Sequence, residues 1–323
     1  MELLKRLTEC NSVSGNESEI RELIKKEVLD FCDEVYEDAL GNLIVHKKGE
    51  GKKLMLAAHC DEIGVIVNFI DEKGFLRFNP VGGLYVKDLL GRRVKFSGNI
   101  YGVIGFEEQA NERVISKMYI DIGAKSREEA EKYVKIGDTA CFCGDFTEQN
   151  GKVISKALDN RAGCYILIEA LKKCKDSKND LYFVFTVQEE VGLRGAKTSA
   201  FGIMPDMALA VDVTDTGDTP KSDVMEVSLG AGAAIKVMDS SVMCAPEVRS
   251  LLIELAKKND IPYQIEVLTA GGTDAGAIHL TGSGIKTGGI SIPTRYIHSP
   301  SEMADISDIR ACIELAVGFC ECR

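Results

Sequence analysis

Residues 161–187, RAGCYILIEALKKCKDSKNDLYFVFTV, decide the fold of this chain. Residues 161–175 place apolar side chains at helical spacing, and residues 180–187 form a short, nearly continuous apolar run typical of a buried strand. A helix followed by a buried strand is the repeating unit of sheets that are covered by helices. The stretch therefore predicts an α/β arrangement for this part of the chain.

The same alternation extends in both directions from this stretch. Downstream, apolar strand-like runs alternate with amphipathic helix-like runs, in the order 205–212, 246–260, 264–268, 284–292 and 305–321. Upstream, residues 1–63 contain a helical pattern, a hairpin-like pair of alternating runs and the short apolar run KKLMLAAH at 52–59. Strands that alternate with helices predict a largely parallel sheet.

Residues 64–151 have a different pattern. Short alternating apolar runs are separated by glycine and by Asp or Asn turns, which is typical of a small barrel or sandwich. Because the helix–strand alternation resumes afterwards, we expect residues 1–63 and 152–323 to form one catalytic α/β domain, and residues 64–151 to form an inserted β-rich domain.

The composition excludes several classes of protein. Hydrophobic residues make up 45% of the 323 residues and charged residues 28%, as in a globular protein with a substantial core. The net charge of −11 argues against nucleic acid as a partner, because binding the phosphate backbone needs a cationic surface. Neither a membrane-spanning apolar run nor a secretory signal is visible, so we expect no membrane partner and a cytoplasmic location.

Polar residues fall at the ends of the predicted strands. His59, Glu189, Glu190 and Asp212 end three apolar runs, His298 closely follows a fourth, and Asp159 precedes a helix that Asn160 is placed to cap. Ligands of open α/β sheets bind beyond the carboxyl ends of the strands. We therefore expect these side chains to meet at one edge of the sheet.

Histidines and carboxylates without thiolates are typical ligands of Zn²⁺, Co²⁺ or Mn²⁺. Adjoining carboxylates repel one another, and two divalent ions would offset the charge of Asp159, Glu190 and Asp212. In an extended strand residues i and i+2 share a face, so Asp61 could orient the ring of His59. At a strand end the chain can turn and aim both adjacent glutamates inward, one as a ligand and one as a base.

Five motifs carry a resemblance to a known family. The motifs are AAHCDEIG (57–64), KALDNRAG (156–163), QEEVGLRGA (188–196), AVDVTDTGDTP (210–220) and RYIHSPSE (295–302). In this order they resemble the M42 aminopeptidases, a family of two-metal exopeptidases, and the resemblance covers essentially the whole chain. It implies a three-layer α/β/α exopeptidase domain of the phosphorylase/hydrolase-like type with an inserted barrel-like domain.

The resemblance also implies roles for the site residues. His59, Asp159 and Asp212 would hold one ion and Asp159, Glu190 and His298 the other, with Asp159 as the bridge. Asp61 would support His59, and a cis peptide bond would join Asp159 to Asn160. The ions would share a water molecule whose proton Glu189 accepts. The substrates would be peptides with a free N-terminus, and the chain would form homo-oligomers, from dimers made through residues 64–151 to dodecamers.

Three alternatives remain open at this point. A glycosidase could use an acidic pair such as Glu189 and Asp212, but the chain has no tryptophan for stacking on sugars and 7% aromatic residues. A metal-dependent deacylase or carboxypeptidase would need a recognition arginine that the sequence does not identify. A non-catalytic assembly protein is disfavoured because all ligands and the base are present.

Other features carry weaker signals. The glycine-dense stretch 270–289 lacks the Gly-Lys-Ser/Thr of a phosphate loop, so we expect a tight loop before a helix, near the substrate pocket. Arg295 either faces substrate or is an ordinary surface residue. We expect His46 and His279 to be structural or exposed. The pairs Cys141–Cys143 and Cys320–Cys322 are not expected to bind metal, since they lack zinc-finger spacing.

Overall fold

The structure, a computed structural model, describes residues 1–108, 114–175 and 177–322. Eight α-helices lie in these residues: α1 (Glu2–Glu9), α2 (Ser18–Val28), α3 (Arg127–Ala130), α4 (Leu158–Lys173), α5 (Arg194–Ile203), α6 (Pro246–Lys258), α7 (Asp274–Ile278) and α8 (Ile306–Cys320). Short 3-10 turns occur at Leu29–Phe31, Val86–Asp88, Ser97–Asn99 and Ile115–Lys117.

Seventeen strands lie in the same residues: β1 (Glu34–Glu37), β2 (Leu43–Lys47), β3 (Lys53–His59), β4 (Gly64–Ile70), β5 (Leu76–Val81), β6 (Arg93–Phe96), β7 (Ile100–Phe106), β8 (Met118–Asp121), β9 (Thr139–Phe142), β10 (Thr147–Gln149), β11 (Lys152–Ser155), β12 (Asp180–Thr186), β13 (Met207–Thr214), β14 (Ala233–Met238), β15 (Tyr263–Val267), β16 (Lys286–Arg295) and β17 (Glu302–Asp305).

Eleven of these strands form one large sheet. Its main path runs β1-β2-β12-β3-β13-β16-β17-β11-β10, and β14 joins β15 to β16 beside this path. The central strands β12, β3, β13 and β16 are parallel, whereas both ends of the path pair antiparallel. The antiparallel pair β1–β2 is the hairpin expected from the sequence, but the prediction of a largely parallel sheet was wrong at the other edge, where β16, β17, β11 and β10 pair antiparallel.

Both faces of the large sheet are covered by helices. On β3, Leu54, Leu56 and Ala58 belong to the main apolar core together with residues of α1, α2, α4, α6 and α8. The alternate residues Met55 and Ala57 pack on the other face with residues of α5 and α7. Burial on both faces explains why the central strands are apolar at nearly every position.

The strands β4-β5-β8-β7-β6-β9 close into a six-stranded barrel, which confirms the prediction of a barrel-like β-rich unit. Its interior is a separate apolar cluster that includes Val65, Phe78, Phe96 and Ile120. β10 follows the barrel in sequence but pairs with β11 in the large sheet. Within the described residues, no helix is both long and apolar enough to cross a membrane.

Candidate metal centre

The parallel strands deliver five polar side chains to one edge of the large sheet. His59 is the last residue of β3, and Asp212 lies near the end of β13. Glu189 and Glu190 follow the end of β12, and His298 follows the end of β16. Because the carboxyl ends of parallel strands point the same way, the sheet itself brings these residues together, as the strand-end pattern predicted.

Asp159 reaches the same edge from the start of α4. The backbone is not helical at Asp159 and Asn160, and the peptide bond between them is cis, as the family resemblance implied. The Oδ1 atom of Asn160 accepts a hydrogen bond from the backbone N–H of Gly163 at 3.0 Å, which confirms Asn160 as a helix cap. The cap fixes where regular helix begins and leaves the Asp159 side chain outside it.

One group of potential ligands consists of His59, Asp159 and Asp212. The Nε2 atom of His59 lies 3.0 Å from Oδ1 of Asp159 and 3.6 Å from Oδ1 of Asp212. All three residues are buried. We call this set the strand group, because His59 and Asp212 lie on adjacent paired strands.

A second group consists of Asp159, Glu190 and His298. The Nε2 atom of His298 lies 3.4 Å from Oδ2 of Asp159 and 3.2 Å from Oε2 of Glu190. We call this set the loop group, because both Glu190 and His298 lie in loops after their strands. The two groups share Asp159, which presents one carboxylate oxygen to each histidine.

Backbone conformation aims the loop residues inward. Gln188 and His298 both adopt left-handed φ values, 55° and 62°, which side-chain-bearing residues adopt rarely. The turn at Gln188 ends the strand direction just before the two glutamates, and Glu189 and Glu190 both line the same cavity. Backbone of this kind often occurs at functional sites.

Asp61 connects the strand group to the two glutamates. Its carboxylate lies 3.4 Å from Nδ1 of His59, and its backbone oxygen lies 3.3 Å from the same nitrogen. The carboxylate also accepts hydrogen bonds from the backbone N–H groups of Glu189 and Glu190, at 3.0 and 3.2 Å, and from Ser14. Asp61 thus orients the His59 ring and holds the glutamate loop at the same time.

Glu302 connects the two ends of the loop group, and sequence reasoning assigned it no role. Its carboxylate accepts hydrogen bonds from the backbone N–H of Asp159 and from that of His298, both at 2.9 Å. The side chain is 1% exposed. Its presence in the RYIHSPSE motif, four residues after His298, was the available signal.

A buried ionic cluster lies behind the site and was also missed. The Nζ atom of Lys156 contacts both carboxylate oxygens of Glu62, at 2.9 and 2.6 Å. Arg161 is fully buried, pairs with Glu62 and donates to the backbone oxygen of Cys60. All three residues occur in the quoted motifs, and they tie the segment after β3 to the start of α4.

The electrostatics of the site reflect crowded, buried carboxylates. Burial raises the pKa of Glu190 and of Asp212, and it raises that of Glu189 well above its usual range. Burial by itself would lower the pKa of His59, but Glu189, Asp212 and Asp159 together raise it well above the ordinary value. Burial and mutual repulsion thus disfavour the charged form of these carboxylates, and a bound cation would stabilise that form.

The donor set fits metal ions. Each group offers one imidazole nitrogen and two carboxylates whose ligand atoms lie within 4.8 Å of one another. The Oε1 atom of Glu190 is buried and accepts no hydrogen bond from the described residues. A buried oxygen without a donor is costly unless a cation or water satisfies it. Imidazole and carboxylate ligands suit Zn²⁺, Co²⁺ and Mn²⁺.

The groups line a cavity of about 440 Å³ that the barrel partly covers. The segment after β5 passes so close that an added Cβ at Gly83 would lie 2.9 Å from Nδ1 of His298. A Cβ at Gly82 would lie 3.1 Å from Oε2 of Glu190. The two glycines therefore let the barrel approach the loop group, a feature that sequence reasoning missed.

Several residues considered from sequence lie outside the site. Arg295 pairs with Asp218 through two hydrogen bonds of 2.9 and 2.7 Å and does not line the cavity. His46 pairs with Asp180 at 2.7 Å, and the ring of His279 contacts the backbone of Ala275, so both are structural. In the parts of the chain that the structure describes, no potential ligand group contains a cysteine.

A buried cluster of two histidines and several carboxylates at the carboxyl edge of an α/β sheet defines a class, the metal-dependent hydrolases. Residues 41–315 match the model of the family described as M42 glutamyl aminopeptidase. The chain belongs to this M42 family, which is metal-dependent, and it is an aminopeptidase, an enzyme that hydrolyses peptide bonds.

Individual relatives agree with this assignment. A protein of Acetivibrio thermocellus whose aminopeptidase name is provisional is 60% identical over 319 residues, which cover 98% of this chain and 97% of that protein. The solved structure of an aminopeptidase from the archaeon Desulfurococcus kamchatkensis is 40% identical, with a TM-score of 0.94 over 99% of this chain and 94% of that one.

A further solved structure is the TET1 peptidase of Pyrococcus horikoshii, described as able to assemble into a tetrahedron or a large octahedral shell. It is 38% identical to this chain, with a TM-score of 0.90 and coverage of 98% of both chains. The family model and the relatives named here confirm the aminopeptidase interpretation and do not favour the deacylase, carboxypeptidase or glycosidase alternatives.

Proposed function

We propose that the chain is a two-metal aminopeptidase whose ions are held by the strand group and the loop group, with Asp159 bridging them. The observation that carries this proposal is the pair of three-residue groups that share Asp159. A carboxylate that presents one oxygen to each group would serve as a ligand in both, so the residues present fit two ions rather than one. Zn²⁺ and Co²⁺ are the proposed ions, with Mn²⁺ as a further candidate.

Glu189 is the proposed general base. It belongs to neither ligand group, yet its Oε2 lies 3.9 Å from Nε2 of His59, beside the strand group. Burial raises its pKa well above the ordinary value, with the Asp212, Asp274 and Glu190 charges adding to the effect, and a raised pKa suits a carboxylate that must accept a proton near neutral pH. Asp61 is the proposed supporting residue, because it holds the backbone of Glu189 and the ring of His59.

The reaction follows from these positions. The ions, when bound, polarise the scissile carbonyl and lower the pKa of a water molecule. Glu189 accepts a proton from the attacking water and returns it to the departing amine. Asp61 keeps the Glu189 backbone in place during this transfer. Glu302 holds the backbones of Asp159 and His298 next to each other by accepting a hydrogen bond from each. The substrates are proposed to be peptides with a free N-terminus.

The proposal extends to the organisation of the chain. Residues 1–63 with 152–323 are proposed to form a three-layer α/β/α catalytic domain, and residues 64–151 an inserted domain that serves dimerisation and covers the site. β10 lies on the barrel side of this boundary although it pairs in the large sheet. The chain is proposed to act in the cytoplasm as a homo-oligomer, from dimer to dodecamer, by analogy with the assembling relative.

A chelation experiment tests the proposed function. The purified chain is stripped with a chelator, reloaded with Zn²⁺, Co²⁺ or Mn²⁺, and assayed on a panel of N-terminal amino-acid anilides and on β-glucan. We expect anilide hydrolysis that disappears on chelation and returns with metal, and about two bound ions per chain. Glucan hydrolysis that survives chelation, or saturation at one ion, would contradict the proposal.

The lining of the cavity explains why we expect no hydrolysis of β-glucan in this experiment. Tyr85 is the sole aromatic side chain, apart from the imidazoles, among the described residues that line the cavity. Sugar-binding clefts rely on aromatic stacking, so this lining offers little for a polysaccharide. Hydrolysis of anilides alone would therefore agree with the chemistry of the cavity.

A further inference from the structure

Beyond the proposed ligands and Glu189, the charge on the described cavity wall is negative and comes from Asp215. Apart from the two ligand groups and Glu189, the described lining consists of small, apolar or uncharged polar side chains and Asp215. No lysine or arginine of the described residues lines it. A substrate side chain that enters this cavity therefore meets a single additional charged group, and that group is negative.

The lysine and arginine side chains near the cavity contact other groups of the protein. The guanidinium of Arg295 is held by both carboxylate oxygens of Asp218, and the buried ammonium of Lys236 contacts Glu266 and Asp239. The Nζ atom of Lys87 lies over the ring of Tyr85, 5.6 Å from its centroid, and Lys87 is outside the lining. None of the three lines the cavity.

Position within the cavity decides which part of a substrate Asp215 meets. The strand-group ligands are 2–7% exposed and form the deep end of the cavity, where the scissile carbonyl and the adjacent α-amino group must bind. Asp215 comes directly after the end of β13 and is exposed, so it lies toward the mouth. Leu268, Ala270 and Ile297 line the same cavity and would suit the aliphatic stem of an N-terminal side chain that reaches from the deep end toward Asp215.

We propose that Asp215 makes the enzyme select peptides with a basic N-terminal residue, lysine or arginine, over peptides with an acidic one. This inference rests on the proposed function, because it concerns the same cavity. It differs from the glutamyl specificity in the family's description. Opposite charges attract and like charges repel across a cleft of low dielectric, and one such contact changes the ratio of kcat/KM values by about tenfold or more.

The experiment compares lysyl, leucyl and glutamyl anilides on the metal-loaded enzyme and on Asp215→Asn. We expect the wild type to prefer lysyl over glutamyl, and Asp215→Asn to lower that ratio by about tenfold with the leucyl value nearly unchanged. The change should lie mainly in KM. Added salt should weaken the preference in the wild type and have less effect in the variant, because screening acts on the Asp215 charge.

A matched control removes the same charge far from the cavity. Glu254 lies exposed on α6 and is not part of the lining, so Glu254→Gln should leave the ratio unchanged. A ratio that is insensitive to Asp215→Asn, or an equal loss on all three anilides, would overturn the inference, as would glutamyl hydrolysis that depends on Lys87. If no anilide is hydrolysed by the loaded wild type, it is the proposed function that fails.

Discussion

The strand group and the loop group share one carboxylate but are held in place by different means. His59 and Asp212 lie on β3 and β13, which are paired directly in the sheet, and the backbone ladder sets their separation. Glu190 and His298 lie in loops, and the His298 side chain is 26% exposed whereas that of His59 is 2% exposed. Sheet pairing already sets the backbone position of a ligand on a strand, so only the orientation of its side chain needs further support, as Asp61 gives to His59.

The loop group depends on residues from distant parts of the chain. Asp61 holds the backbone of Glu190, Glu302 holds that of His298, and Gly83 leaves room for the imidazole ring. Each support acts through a contact that can be removed singly. Because Asp61 also contacts His59, the comparison predicts that changes at Glu302 and Gly83, rather than at Asp61, weaken mainly the loop-group ion.

Substitution of the shared carboxylate should have the largest effect. Asp159→Asn keeps the size of the side chain but removes the charge that both groups use, so we expect neither ion to be retained at micromolar metal and turnover to fall by more than about 100-fold. Metal content by mass spectrometry of the purified protein, with circular dichroism to verify the fold, measures this. Two tightly bound ions in the variant would rule out the bridging role.

Glu189→Gln should separate catalysis from metal binding. Because Glu189 belongs to neither group, we expect both ions to remain while turnover falls by about 10²- to 10⁴-fold. Metal titration and anilide kinetics on the same preparation test both parts. Retained turnover would remove Glu189 from its proposed role, and loss of an ion would place it among the ligands.

The two histidines offer a direct comparison of the groups. His298→Ala should lose the loop-group ion together with activity and leave the strand-group ion bound, because the strand group keeps all three of its ligands. His59→Ala should show the reverse pattern. Competition with a chromophoric chelator, which resolves tight and weak ions, distinguishes them; identical metal loss in both variants would show that the groups are not independent.

Glu302→Gln tests the support of the loop group. A glutamine can accept only one of the two backbone hydrogen bonds that the carboxylate accepts from Asp159 and His298. We expect the loop-group ion to bind about 10- to 100-fold more weakly, as for other residues that orient ligands. Glu314→Gln, at an exposed position of α8, is the control. Unchanged metal affinity would show that Glu302 contributes only to packing.

Gly83→Ala should produce the smallest of these effects. The added methyl group would lie 2.9 Å from Nδ1 of His298, so the ring must shift and the loop-group ion should bind up to about tenfold more weakly. Gly202→Ala in α5 is the matched control, since an added Cβ there meets no atom within 4 Å. Equal metal affinity in the two variants would mean that the barrel does not restrain His298.

Much of this architecture was predictable from local patterns. The apolar run that ends at His59, the one before Glu189 and the one that ends at Asp212 identified the edge at which side chains converge, because parallel strands share the direction of their ends. Apart from the β1–β2 hairpin, the antiparallel pairs of the sheet were not predictable in the same way. Pairing at β17 and β11 joins residues about 150 positions apart, and the alternation of apolar residues does not reveal which strands become neighbours.

By itself, the sequence determined the residue types at the strand ends, the alternation that builds the sheet, and a β-rich unit of barrel or sandwich type between its two parts. Only the tertiary structure decided that Glu302 joins Asp159 to His298, that Gly83 lies against the His298 ring, and that Arg295 is bound to Asp218. The reason is physical: local patterns set which residues can form a strand or a loop, whereas backbone turns and contacts between distant segments set where each side chain points.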